Sequence, residues 1–147
     1  MTTHRRQSAP FVWEGVPTLA YKESDGTFRD VTRQVLSDAE HGQGTSLRYF
    51  EVGPGGHTTL ERHEHTHVVI PIRGSGSALV VDRVVPLALF DVVFVPSWGW
   101  HQFRAAASEP LGFLCAVTVV RDRPLLPTAA ELAALRADPA VAAFIRV

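Results

Sequence analysis

Cysteine is nearly absent from this chain, and so are long apolar runs and clusters of one charge. A single cysteine, Cys115, excludes an intrachain disulfide framework. A lone thiol suits a reducing compartment. No apolar run approaches the roughly 20 residues that cross a bilayer. The amino-terminal stretch MTTHRRQSAP is polar with no apolar segment behind it, so a soluble protein of the cytoplasm is expected. Like charges never gather beyond a pair, and 14 basic residues against 15 acidic ones leave a formal net charge of -1. Nothing in that distribution attracts a polyanion or an anionic lipid surface, so neither nucleic acid nor a membrane is an expected partner.

What is present is the composition of a folded domain. The chain has 147 residues, 46% hydrophobic and 20% charged, enough for one sizeable core and too few to promise two. Residues 1–10 read as a flexible polar tail and 11–147 as a single domain, with no internal linker, repeat or low-complexity segment. Short apolar runs are separated by turn signals at Ser24-Asp25-Gly26, His41-Gly42-Gln43-Gly44, Gly53-Pro54-Gly55-Gly56, Gly74-Ser75-Gly76, Pro96-Ser97-Trp98-Gly99 and Ser108-Glu109-Pro110. That spacing predicts an all-β sandwich or barrel. The clearest strands are Ser46–Val52, Val68–Ile72, Ala78–Val81, Val92–Val95 and Leu111–Val120. The period then changes over residues 128–146. Thr128 and Glu131 form a capping box that opens a short helix running to about Ala137. Asp138-Pro139 opens a second, with Val141, Phe144 and Ile145 on one apolar face. Both helices are expected to cover the outside of the barrel or a partner subunit.

The stretch LERHEHTHVV, Leu60 to Val69, concentrates three of the seven histidines. Side chains two apart on a strand share a face, so Glu61, His63 and His65 are candidates for one side, with Arg62 and Glu64 on the other. A turn must precede the valine run. His67, at the mouth of the next strand, can come back beside His63.

Taken together, Gly55, Glu61, His63, His67 and Gly74, with five, one, three and six residues between them, resemble the first motif of the cupin superfamily. Phe90-Asp91, Pro96 and His101 are similar to its second motif, and the likeness spans about residues 46–120. It implies a double-stranded β-helix, or jelly-roll barrel, holding one divalent transition metal ion of the Mn, Fe, Ni, Cu or Zn group. The register of the motif decides the ligands. With His63 and His65 as the His-x-His pair, the third position falls on Val69 or Ile70, neither of which binds a metal. With Glu61 and His63 as the pair it falls on His67, and the closing glycine on Gly74. The implied ligand set is therefore Glu61, His63, His67 and His101, with His65 and His57 outside it. Here the carboxylate has moved from the family's usual third place to the first. Phe90 and Trp98 stand where the second motif has glycines, and Ala105 where it has a final asparagine.

Strand parity then supplies the pocket. If His101 points inward, so does Phe103, and Leu111, Phe113, Cys115 and Val117 share one face. An outward Glu51 puts Arg48, Phe50 and Val52 inside. Arg48 either meets a ligand, the substrate or Glu61, or pairs at a surface edge. Cys115 reads as a small buried hydrophobe, with no base identifiable near it. Trp98 and Trp100 flank His101 and either screen the metal or pack at a subunit interface. The resemblance implies a metal-dependent enzyme acting on a small organic molecule, an oxygen-activating dioxygenase in the first instance, with Glu61 as a base. A redox-neutral isomerase, cyclase or lyase and a non-catalytic small-molecule binder are the alternatives. A homodimer is expected, because a many-stranded sheet leaves edges that need cover.

Overall fold

The structure is a computed structural model that describes residues 2–23 and 25–147. Ser24, which opens the first expected turn, lies outside the described residues. Among the described residues eleven strands follow one another: β1 (Gln7–Ala9), β2 (Val12–Trp13), β3 (Leu19–Ala20), β4 (Arg29–Ser37), β5 (Thr45–His57), β6 (His67–Gly74), β7 (Gly76–Val80), β8 (Arg83–Leu87), β9 (Val93–Val95), β10 (His101–Ala105) and β11 (Leu111–Thr118). Two helices close the chain, α1 (Ala129–Leu135) and α2 (Pro139–Phe144). The main sheet is antiparallel and curls into a half-barrel in the order β8-β7-β10-β5-β11-β6-β9, with β4 and then β3 added beside β5. No helix among the described residues is long and apolar enough to cross a membrane.

The centre of the sheet is β5. Thr45 to Val52 pair with β11 on one side, β4 runs along the other, and His57 reaches Arg104 of β10. Because paired residues share a face, this register carries the inward set of β5 across to β11. Phe50, Val52, Phe103, Leu111, Phe113, Cys115 and Val117 are all buried in one core. Phe113 stacks between Phe50 at 5.5 Å and Phe103 at 4.8 Å, the offset contacts that aromatic rings favour.

The other face of β5 is covered too, which shortens the expected polar tail. Gln7–Ala9 pairs with Val12–Trp13 as a hairpin. Phe11 and Trp13 pack on the buried Tyr49 at 5.8 and 5.2 Å. Those contacts belong to the expected domain, and it is the hairpin that ties Gln7–Ala9 to it. Glu51, expected outside, is half-buried and accepts hydrogen bonds from Tyr49 (2.8 Å) and Arg73 (2.7 Å).

Thr128 caps α1 with the full reciprocal box, and Asp138 caps α2 ahead of Pro139. Val141, Phe144 and Ile145 bury against Leu60 and Leu79, with Leu132, Leu135 and Trp100 at the margin. The helices therefore cover the barrel wall next to the Leu60–His63 segment. Phe90 and Trp98, at the motif's glycine positions, keep glycine-like backbones with φ of 68° and 60°. Such a conformation costs an L-residue about 1–2 kcal/mol.

Candidate metal centre

Local pairing aims the histidines. Val69 of β6 lies opposite Cys115 and is buried, so His67, two residues before it, faces the same interior. Glu61 and His101 exchange backbone hydrogen bonds of 3.2 and 3.0 Å as an isolated bridge. The carbonyl of His63 accepts from the Trp98 amide at 2.7 Å. Three separate segments thus deliver His63, His67 and His101 to one point, where a ligand atom from each lies within 4.8 Å of the others.

The ring nitrogens are arranged for ligation. Nδ1 of His63 donates to the His65 carbonyl (2.7 Å), and Nδ1 of His101 donates to the Gly99 carbonyl (3.0 Å). A carbonyl only accepts, so both rings carry their proton on Nδ1 and present a bare Nε2. His67 places Nε2 at 2.8 Å from His63 Nε2 and Nδ1 at 3.0 Å from Cys115 Sγ. Exchange of the proton shared there for a divalent cation leaves three converging lone pairs.

Electrostatics keeps the rings neutral. Burial, then the charge of His65, lowers His63 to about 4. Burial lowers His101 to about 3, against the opposing pull of its Gly99 hydrogen bond. His67 is held well below its ordinary range by burial and by the two neighbouring imidazoles. Three neutral imidazoles with no thiolate among them suit Mn, Fe, Ni, Cu or Zn, and three protein ligands leave positions open.

Glu61 lines the same chamber with His67 and His101 but stands outside the trio of mutually close ligand atoms. Its carboxylate pairs with Lys22. Burial raises its pKa, and Lys22 opposes that rise. Phe50, Phe103, Phe113 and Cys115 form the apolar wall together with Tyr21 and Val69. Arg48 faces the wider mouth of the chamber and donates to Cys115 Sγ at 3.5 Å, not to Glu61. The base that the sequence does not reveal near Cys115 is the His67 imidazole. Burial nevertheless holds the thiol above its usual range.

His65 lies over the trio, its ring stacked on His63 at 3.6 Å and its Nδ1 at 2.6 Å from Asp122. With His63 and Asp122 it makes a second group of close ligand atoms. His57 sits at the end of β5 with Nδ1 on the Thr58 carbonyl. Trp100 packs with the helices beneath the Arg62 guanidinium, and Trp98 is exposed, so neither screens the histidines. Lys22, Tyr21 and Asp122 carried no sequence signal. Each reaches the site through a contact between distant segments.

The Cupin domain family matches residues 48–117. A protein of Rhodospirillum rubrum named 1-methylthio-D-xylulose 5-phosphate methylsulfurylase is 58% identical over 134 residues, covering 90% of this chain and 85% of that one. Among solved structures, a cupin 2 conserved barrel domain protein from Rhodopseudomonas palustris superposes with a TM-score of 0.93 at 48% identity, covering 99% of this chain and 100% of the other. A cupin-2 domain from Rhodospirillum rubrum superposes with a TM-score of 0.87 at 57% identity, over 96% and 94% of the two chains.

Proposed function

The chain belongs to the cupin family, and on that premise we propose a metal-dependent enzyme that transfers the methylthio group of a 1-methylthio-ketopentose 5-phosphate to a thiol co-substrate: the C1–S bond breaks, the sulfur joins the thiol sulfur as a methyl disulfide, and the thiol proton ends on C1 to leave a 1-deoxy-ketopentose phosphate. The observation that carries this reading is the 58% identity, across 90% of the chain, to the Rhodospirillum rubrum protein that bears that substrate in its name. His63, His67 and His101 would hold one divalent transition metal, and a metal so bound supplies Lewis acidity toward a carbonyl oxygen. The other roles belong to the chain. The Nδ1 hydrogen bonds to the His65 and Gly99 carbonyls keep the ligand rings in place. Phe50, Phe103 and Phe113 exclude water from the reacting end. Glu61 remains the proposed fourth ligand and proton acceptor. Lys22 holds its carboxylate ready, and burial moves its pKa toward the range where a carboxylate takes a proton.

The decisive experiment incubates metal-loaded protein with 1-methylthio-D-xylulose 5-phosphate, with and without oxygen and with and without an added thiol. Loss of the methylthio group is followed by mass spectrometry. Anaerobic loss that depends on the thiol and yields its methyl disulfide is the expected result. Turnover that consumes oxygen instead moves the reading to the oxygen-activating enzyme, and no conversion under either condition overturns it.

We further propose that the enzyme works as a cytoplasmic homodimer. Its β9 edge and flanking turns expose Leu89, Phe90, Val92, Phe94 and Trp98, with Phe90 72% and Phe94 68% accessible. A contiguous apolar edge of that kind needs a cover.

A further inference from the structure

The chamber mouth, about 190 Å³, is lined by four cations, Lys22, Arg33, Arg48 and Arg121, and by two acids, Glu61 and Asp122. Both acids are already engaged. Glu61 pairs with Lys22, and Asp122 accepts from His65 and from the Glu64 and His65 amides. Among the described residues, no carboxylate pairs with any of the three arginines.

What the arginines do touch is weak or neutral. Arg33 donates to the Ala20 carbonyl (3.2 Å) and Arg121 to the Thr118 and Val119 carbonyls (2.8 and 3.3 Å). Arg48 donates to the Cys115 sulfur, lies over the Phe50 ring, and keeps a buried Nε without a partner. Sheet register brings Arg33 and Arg48 together. Arg33 is opposite Phe50 and Arg48 opposite Val35, so they are diagonal neighbours on one face, about 7–8 Å apart at the backbone. Arg121 follows β11 and closes the same mouth. Like charges repel across so small a space, and a buried guanidinium nitrogen without a partner is costly. A bound dianion removes both penalties, and a guanidinium fork matches phosphate oxygens.

We propose that Arg33, Arg48 and Arg121 form a phosphate-monoester subsite that grips the charged end of the substrate while its other end points at the histidines. This rests on the methylthio-sugar phosphate reading for the identity of the ligand, but the test needs no turnover. Inorganic phosphate is titrated calorimetrically into the wild type, Arg48→Met, Arg121→Met and Arg48→Lys, with acetate as a singly charged control. Arg73→Met, which removes a pair with Glu51 and a contact over the Phe11 ring outside the chamber mouth, serves as a control. Melting curves establish that each variant is folded, and Arg121, an exposed residue, can be removed without opening the core.

The wild type is expected to bind phosphate at least tenfold more tightly than acetate. Arg48→Met and Arg121→Met should each lose tenfold or more, Arg48→Lys should keep part of the affinity, and Arg73→Met all of it. Wild type without phosphate binding, equal affinity for acetate, or folded methionine variants that bind as wild type each overturn the subsite. Intact phosphate binding with no conversion of the methylthio sugar overturns the enzymatic reading and leaves the subsite standing.

Discussion

His63 and His101 present bare Nε2 atoms because their Nδ1 protons are tied to carbonyls, and His67 turns its Nε2 to that of His63, which sets the three apart from the other histidines on substitution. Alanine at His63, His67 or His101 is expected to lower bound metal about tenfold or more, since each ligand also orients its neighbours. His65→Ala should retain most of the metal, because that ring stacks on His63 and pairs with Asp122 outside the trio. Metal stoichiometry on purified variants checks this. Loss at His65 with retention at His101 moves the centre to the group of His63, His65 and Asp122. Glu61→Gln is expected to weaken the metal and Lys22→Met to strengthen it by releasing the carboxylate. Unchanged metal content in both confines Glu61 to its ion pair. The motif glycines separate by cause. Gly74 has φ 66°, and a Cβ there would stand 1.6 Å from the Pro110 carbonyl oxygen. Gly55 has φ 71° and open space around the same position. Gly74→Ala should therefore cost about 3 kcal/mol or more through backbone collision, and Gly55→Ala about 1–2 kcal/mol through conformation alone. Denaturant midpoints that rank the two the other way would refute the account.

Among the elements, α1 was the most legible and β4 the least. The capping box of Thr128 and Glu131 announces a helix start by local chemistry, and Glu131 also pairs with Arg62. The Thr128 amide, followed by the Thr128 hydroxyl, holds the Glu131 carboxyl below its ordinary 4.5. A depressed carboxyl stabilises the fold above the unfolded pKa and loses that contribution as pH falls through the folded one. Wild-type α1 should thus keep its amide-exchange protection down to about pH 4.5 and lose it as the pH falls further, and Glu131→Gln should show a flatter dependence with lower protection at neutral pH. Thr128→Ala should cost about 1 kcal/mol. By contrast β4, read as Arg29-Asp-Val-Thr-Arg-Gln-Val-Leu-Ser37, buries only Val31 and Gln34. Its place comes from backbone pairing to β5, which has no compositional mark. β8 and β10 escaped for a related reason, since a short strand is recognised by its partner more than by its own residues.

For the whole molecule, the exposed apolar residues of the β9 edge put the proposed homodimer to the test. The wild type is expected to sediment as a dimer and Phe94→Asp as a folded monomer with its metal retained. A monomeric wild type in analytical ultracentrifugation would remove that reading. Net charge shows the limit of global quantities. A formal charge of -1 argues against polyanions, yet the fold brings Arg33, Arg48 and Arg121 to one chamber mouth. Balance along the chain says nothing about balance within a cavity.

Spacing by itself determined the family likeness, the inward parity of Phe50, Phe103, Phe113 and Cys115 and the helix caps, because strand and helix periods are local; the likeness in turn implied a ligand set of Glu61, His63, His67 and His101, of which the three histidines stand together in the structure. Only the tertiary structure decided what surrounds those residues. Lys22 meets Glu61 across 39 residues, His67 meets Cys115 across 48, and His65 meets Asp122 across 57. Such contacts depend on which strands pair and in what register, and pairing is set by the burial of the whole sheet, which no short stretch of sequence contains.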